Sequence, residues 1–368
     1  MRLSITQSMV MDIDKITRNH AQTTASKGEL KQLSTLFGKS YLRELQGLLQ
    51  GSFTQNPGVQ FEVTIRLAWI DKIPLAAIAS KLAAIASKTE RTELGDAVLF
   101  AFDELVLSDG TRADITNARA VLLQAKVAKE KSQIVAPKVP ISAMAGSTKK
   151  EFDLLSMWPV FDLFKASKSA TPLAQSIDLR GPKLGTLPYG WYIAAPRIES
   201  GAKSPAATHW TSWWMAGPPI LNHTCDLTFG AFLQAFFSGA KVPSSGNIEV
   251  GASFQCKGYP PSPTNLTGWD RICAEIIAIV ENSEAPQSIF DSTPTGRMAA
   301  TGPISRSLPP PPNSLGYLVH SKQHPARIPR PKRCIWQLFR GWLDRVCGRK
   351  RIPVLIIHTR TIELVRLR

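Results

Sequence analysis

Neither GxxxxGK[ST] nor GxGxxG occurs anywhere in the 368 residues, which argues against a nucleotide-hydrolysing motor and a dinucleotide enzyme. Gly-x-Ser-x-Gly is missing as well, so the strained serine turn of an ordinary serine hydrolase is not expected. Cysteine is scarce. The five residues Cys225, Cys256, Cys273, Cys334 and Cys347 are odd in number, irregular in spacing and without a CxxC pair. That pattern excludes a disulfide framework and a zinc ribbon, and it reads as reduced thiols in a cytoplasmic protein. The six histidines contain no HxH or HExxH pair. No run approaches the ~18 apolar residues of a membrane-spanning helix. Arg2, Asp12, Asp14, Lys15 and Arg18 interrupt the first stretch of chain, so neither a signal peptide nor a membrane anchor is expected there.

Acidic residues are also in short supply: 28 against 44 lysines and arginines, a net charge of +16. The deficit is local. From Lys322 to Arg368 there are 13 basic residues against Asp344 and Glu363, so most of the excess belongs to the tail and little of it to the main body.

What the chain does hold is 43% hydrophobic residues, enough for a sizeable core, arranged in recognisable periods. Leu30, Leu33, Leu36, Phe37, Tyr41, Leu45, Leu48 and Leu49 follow helical spacing, and residues 61–70 read as a strand. The heptapeptide LAAIASK at 75–81 is repeated letter for letter at 82–88, and its alanine content predicts two extra turns of one helix. Residues 97–107 and 118–128 are two nearly continuous apolar runs separated by Asp109-Gly110, the signature of a buried antiparallel hairpin. Further on, the pattern predicts a helix over 151–165 interrupted near Trp158-Pro159, and a strand at 191–195. A packed loop dense in tryptophan (Trp210, Trp213, Trp214) and two helices over 229–237 and 269–280 follow. Residues 284–333 are rich in Pro, Ser and Gly and read as a linker. Beyond them come a basic amphipathic helix over 334–346 and a short strand-like run at 353–357.

The chemistry concentrates on the hairpin. Antiparallel pairing about the turn brings Asp96, just ahead of the first strand, near Gln124 and Lys126 on the second. Gln124 and Lys126 share one face because strand side chains alternate. A carboxylate suits Mg²⁺, a glutamine carbonyl is a neutral second oxygen, and a lysine beside them can orient water or stabilise charge on a phosphate.

The order helix, strand with Asp, turn, strand with Gln-Ala-Lys, helix, strand resembles the PD-(D/E)xK nuclease superfamily over residues 28–196. The Gln-x-Lys variant is similar to Mrr-like restriction endonucleases and related bacterial defence nucleases. The resemblance implies an α/β fold with a restriction-endonuclease-like core, a mixed sheet flanked by helices. It implies Asp96 as metal-binding aspartate, Gln124 as variant second ligand and Lys126 as catalytic lysine, with Glu93 an additional metal ligand and Glu44 a weaker one. Asp103 and Asp114 are the substitutes for Asp96. The implied cofactor is Mg²⁺, with Mn²⁺ as a replacement; the implied substrate is DNA, and a homodimer or an activating partner protein is compatible with it.

The expected organisation is therefore an arm over 1–27, a nuclease-like core over 28–196, a Trp-rich, partly helical extension over 197–283, a linker over 284–333 and a basic segment over 334–368. In the last two, Arg330, Lys332, Arg333, Arg340, Arg345, Arg349, Lys350 and Arg351 are the residues expected to contact nucleic-acid phosphates. The alternative is a non-catalytic adaptor with an inactive nuclease fold, whose tail binds nucleic acid or an anionic membrane surface.

Overall fold

The computed structural model describes residues 3–22, 29–51, 59–71, 74–78, 91–106, 112–128, 136–165, 169–180, 187–197, 210–282 and 351–363. The expected linker and basic helix lie outside them, as do Arg330, Lys332, Arg333, Arg340, Arg345, Arg349 and Lys350.

Helices α1 (Gln7–Gln22), α2 (Glu29–Leu33) and α3 (Lys39–Gly51) precede the first strand. The single amphipathic helix expected from residue 28 is thus broken by a 3₁₀ turn at Ser34–Phe37 and by the extended Gly38, which shifts its two halves while keeping Leu33, Leu36, Phe37, Tyr41, Leu45 and Leu49 buried. The strands in chain order are β1 (Val59–Asp71), β2 (Leu75–Ile78), β3 (Arg91–Glu93), β4 (Ala97–Val106) and β5 (Arg112–Val127). Helix α4 (Gly146–Met157) leads to β6 (Phe161–Phe164), β7 (Ala174–Ile177), β8 (Gly190–Ala195), β9 (Met215–Gly217) and β10 (Leu227–Thr228). After α5 (Phe229–Ser238) come β11 (Lys241–Val242), β12 (Ile248–Glu249), β13 (Ala252–Ser253) and α6 (Gly268–Glu281); β14 (Arg351–Glu363) closes the described chain.

Eight strands form one mixed sheet in the order β1-β14-β4-β5-β8-β9-β10, with β13 also paired to β5. β4 and β5 are the expected hairpin. β8 returns parallel to β5 after α4, and β14 runs parallel to β4 and antiparallel to β1. A smaller sheet has the order β3-β2-β6-β7.

Period-two alternation sorts the large sheet into two buried faces. Val63, Ile65, Leu99, Val121, Leu123, Ile193 and Ile357 pack under α1, α3 and α5, whereas Val98, Phe100, Leu122, Tyr192, Val354 and Ile356 pack under α4 and α6. The chain is therefore an α/β protein with a mixed sheet flanked by helices on both sides.

Three expectations are corrected. The first LAAIASK copy begins a strand: Leu75–Ile78 pairs with both β3 and β6, so tertiary pairing overrides alanine's helix preference. The second copy lies outside the described residues. The helix expected over 151–165 is α4, which begins earlier, at Gly146, and ends at Met157; the break expected near Trp158-Pro159 is there, with Trp158 left-handed, but Phe161–Phe164 beyond it is strand and not further helix. The run at 353–357 is strand as expected, but it is not short: it lies within a 13-residue strand seated between β1 and β4.

Candidate active site

Asp96 sits one residue ahead of β4. Its N–H donates to the Leu123 carbonyl (2.7 Å), carrying the hairpin ladder one step past the strand end. Gly95 makes this approach feasible, because a Cβ there would stand 3.0 Å from the same carbonyl oxygen. The fully buried Asp96 carboxylate then turns onto β5: its Oδ2 accepts from the Ala125 N–H (3.1 Å) and from Gln124 Nε2. Gln124 and Lys126 lie on the face that α4 covers, two residues apart as alternation requires.

Lys126 crosses to that helix. Its ammonium is 3.0 Å from Glu151 Oε2 on α4 and 3.8 Å from Glu29 Oε1 on α2; the side chains of Lys126 and Glu151 are each only 9% exposed. Burial alone would lower the lysine's pKa, but the charges of Asp96, Glu29 and Glu151 more than offset it, and the ammonium holds its proton above the ordinary lysine range. Tyr192, the register partner of Gln124 on β8, completes the inner wall, its phenol raised by burial and then by the charges of Glu151 and Asp96.

The structure thus brings together Asp96, Gln124 and Lys126. Glu93 lies in the smaller sheet, on β3 opposite Leu75, and the carboxylates acting on Lys126 are those of Asp96, Glu29 and Glu151 instead. Glu44 is on α3, beneath the opposite face of the large sheet, and accepts from or is paired with His20 (3.0 Å) at the surface. Asp103 is well along β4, hydrogen-bonded by Asn117 Nδ2 (2.9 Å), and Asp114 is exposed near the start of β5, so neither replaces Asp96. Arg351 opens β14 opposite Asp71, placing it in the sheet.

Sequence reasoning missed Glu29, Glu151 and Tyr192. The available signal for Glu151 was its place among Phe152, Leu154 and Leu155 on the buried side of α4. Tyr192 gave none, because its strand reads as uniformly apolar.

All donors here are oxygens, the set that a hard divalent cation prefers, and three carboxylates face one ammonium, leaving an excess of negative charge that a cation would balance. Their side chains are not gathered about one point: among the described residues no group of three His, Cys, Asp or Glu is placed to hold a metal ion. No helix among the described residues is long and apolar enough to cross a membrane. Compared with protein-family models, with curated proteins and with solved structures, the chain finds no match in any of the three.

Proposed function

We propose that the chain is a metal-dependent endonuclease that hydrolyses DNA phosphodiester bonds, acting in defence against foreign DNA. The observation that carries this reading is the placing of Asp96, Gln124 and Lys126 at one end of the β4–β5 hairpin, with Gln124 bonded to the Asp96 carboxylate and Lys126 within reach of its charge. The helix-hairpin-helix-strand order, with β8 parallel to β5, supports a restriction-endonuclease-like core.

Asp96 would hold the cation, with Gln124 supplying a neutral oxygen and Glu151 or Glu29 a second charge. When bound there, Mg²⁺ supplies charge neutralisation and a polarised water. The Lys126 ammonium, aimed by Glu151, donates hydrogen bonds to the attacking water or to a phosphate oxygen on which charge accumulates. The tail arginines and lysines add salt-dependent attraction to the DNA backbone.

The test is incubation of purified protein with linear and supercoiled DNA in Mg²⁺, Mn²⁺ or EDTA, beside Lys126→Met and Asp96→Asn. Metal-dependent cutting that both substitutions abolish is expected; undiminished cutting by both would remove this site. These replacements are chosen over alanine because both groups are buried and bonded, so truncation would also damage the fold.

A second reading has its own observation. The Lys126 ammonium already neutralises Glu151 and approaches Glu29, the arrangement of a structural ion pair in an inactive nuclease fold acting as an adaptor. An adaptor would bind DNA or anionic vesicles without cutting, and would lose that binding when Arg330, Lys332 and Arg333 are replaced by glutamine.

A further inference from the structure

One strand of the smaller sheet is written twice in the chain. In β2, Leu75, Ala76 and Ala77 are buried, Ala76 completely, and the strand pairs with β3 on one side (Ala76 opposite Thr92) and with β6 on the other (Ala76 opposite Leu163). Residues 82–88 repeat 75–81 letter for letter. A slip of strand register normally carries the wrong side chains into a core, and that penalty is what fixes the register. A slip of one whole repeat carries in the same ones, because Leu82, Ala83, Ala84 and Ile85 match Leu75, Ala76, Ala77 and Ile78.

The connections permit the slip as well. β1 ends at Asp71 and β3 begins at Arg91, so the resident register leaves residues 72–74 before β2 and 79–90 after it. The shifted register leaves 72–81 before and 86–90 after, and five residues still suffice to join antiparallel neighbours. Closure entropy varies only with the logarithm of loop length, so the loops alone separate the two arrangements by less than about twofold in population. What distinguishes them is the residue ahead of the strand: Pro74 is buried there, and Lys81 precedes the second copy. This difference makes the first copy the resident one and leaves the slot open to the second.

We propose that the β2 position is a slot for which the two LAAIASK copies compete, so that the smaller sheet has two registers one repeat apart. Exchange leaves β3 and β6 in place while it passes seven residues from the connection that enters β3 to the connection that leaves β1. The repeat is thus a switch of loop length, and a ligand that binds one length of either connection better selects the register that supplies it.

The experiment uses the full-length chain carrying Ala76→Asp, Ala83→Asp or both, followed by urea unfolding. Aspartate at the buried alanine position brings an unpaired carboxylate into the core, so a copy that carries it cannot fill the slot. Ala83→Asp is expected to keep the wild-type midpoint, and Ala76→Asp to lower the midpoint by less than half as much as the double variant does, since the intact second copy moves in. A loss in Ala76→Asp of half or more of that in the double variant overturns the proposal. An unchanged midpoint in the double variant overturns it too, because neither copy then holds the slot. Disulfide trapping reads position directly. Paired with Thr92→Cys, both Ala76→Cys and Ala83→Cys should bridge on mild oxidation, as identified by peptide mass spectrometry, and Ala83→Cys should bridge faster than Ala84→Cys, which in the shifted register faces the other side of the sheet. Bridging from Ala83→Cys that is no faster than from Ala84→Cys reports random loop encounters and overturns the exchange.

Discussion

A lysine whose side chain is nine-tenths out of water needs its counter-charge, and Glu151 supplies it at 3.0 Å. Removing the lysine leaves Glu151 buried without its counter-charge, so Lys126→Met should lower stability by about 3 kcal/mol, and Glu151→Gln by less, because Asp96 and Glu29 still act on the ammonium. The double variant should lose at least about 1 kcal/mol less than the sum, as measured by urea unfolding. The folded-state pKa of Lys126 lies above its unfolded value near 10.5, so protonation favours the folded form. The ion pair's contribution is therefore whole below that pH and is lost as pH rises through the folded value. The gap in urea midpoint between wild type and Lys126→Met should accordingly hold steady from pH 8 to about 10 and shrink above about 10.5. Elsewhere, burial pushes the Cys256 thiol up to about 11, while its Sγ donates to the Gly258 carbonyl (3.2 Å). Its alkylation by iodoacetamide, followed by peptide mass spectrometry, should still be accelerating between pH 9 and 11, where an ordinary thiol has already levelled off. At this scale the sequence exposed polar residues inside apolar strands, which is how Asp96, Gln124 and Lys126 could be found. Glu29, in the first turn of α2, and Glu151, midway along α4, were hidden because a carboxylate on a helix is usually a solvated one, and only packing shows which of them faces inward.

Among the elements, the helices distinguish two kinds of glycine. Gly47 is exposed in the middle of α3 with nothing within 4 Å of an added Cβ, so Gly47→Ala should stabilise by about 1 kcal/mol through helix propensity. Gly230, in the first turn of α5, lies where α1 crosses it: an added Cβ would meet the Val10 carbonyl oxygen at 2.4 Å and Asp14 Oδ1 at 2.9 Å. Gly230→Ala should force the helices apart, break the Gly230 N–H to Asp14 Oδ1 bond and lower the melting temperature; calorimetry of the two variants reads both signs. The β1 edge shows a similar use of specific side chains. Gln50 both accepts from the Val63 N–H (2.7 Å) and donates to the Phe61 carbonyl (2.8 Å), and Gln46 donates to the Val63 carbonyl (2.9 Å), so α3 covers backbone that would otherwise present a pairing edge. Elements with a strong local period, such as the β4–β5 hairpin, α5 and α6, were legible in the chain. The first LAAIASK copy was not, since its local preference is helical and its strand state comes from pairing with residues about 85 positions away.

For the molecule as a whole, the decisive element is β14. Val354, Leu355, Ile356 and Ile357 are buried between β1 and β4, and among the described residues β1 joins the sheet through this strand alone. Sequence could show its apolar centre but not its place, because a pairing between residues 98–106 and 354–362 leaves no local trace. The basic segment is therefore not separable as a unit: deleting residues 351–363 should abolish the cooperative melt followed by circular dichroism. Cutting the chain at a site engineered between residues 283 and 350 should instead leave two fragments that co-elute in gel filtration. The same arrangement constrains biosynthesis. On the ribosome β1 and β4 emerge long before β14, so the strand-pairing edges that β14 will cover on each of them stay unsatisfied for the time needed to make more than 200 further residues. Until β14 is made, the edge of β4 that it will cover is open to pairing with a strand of another molecule.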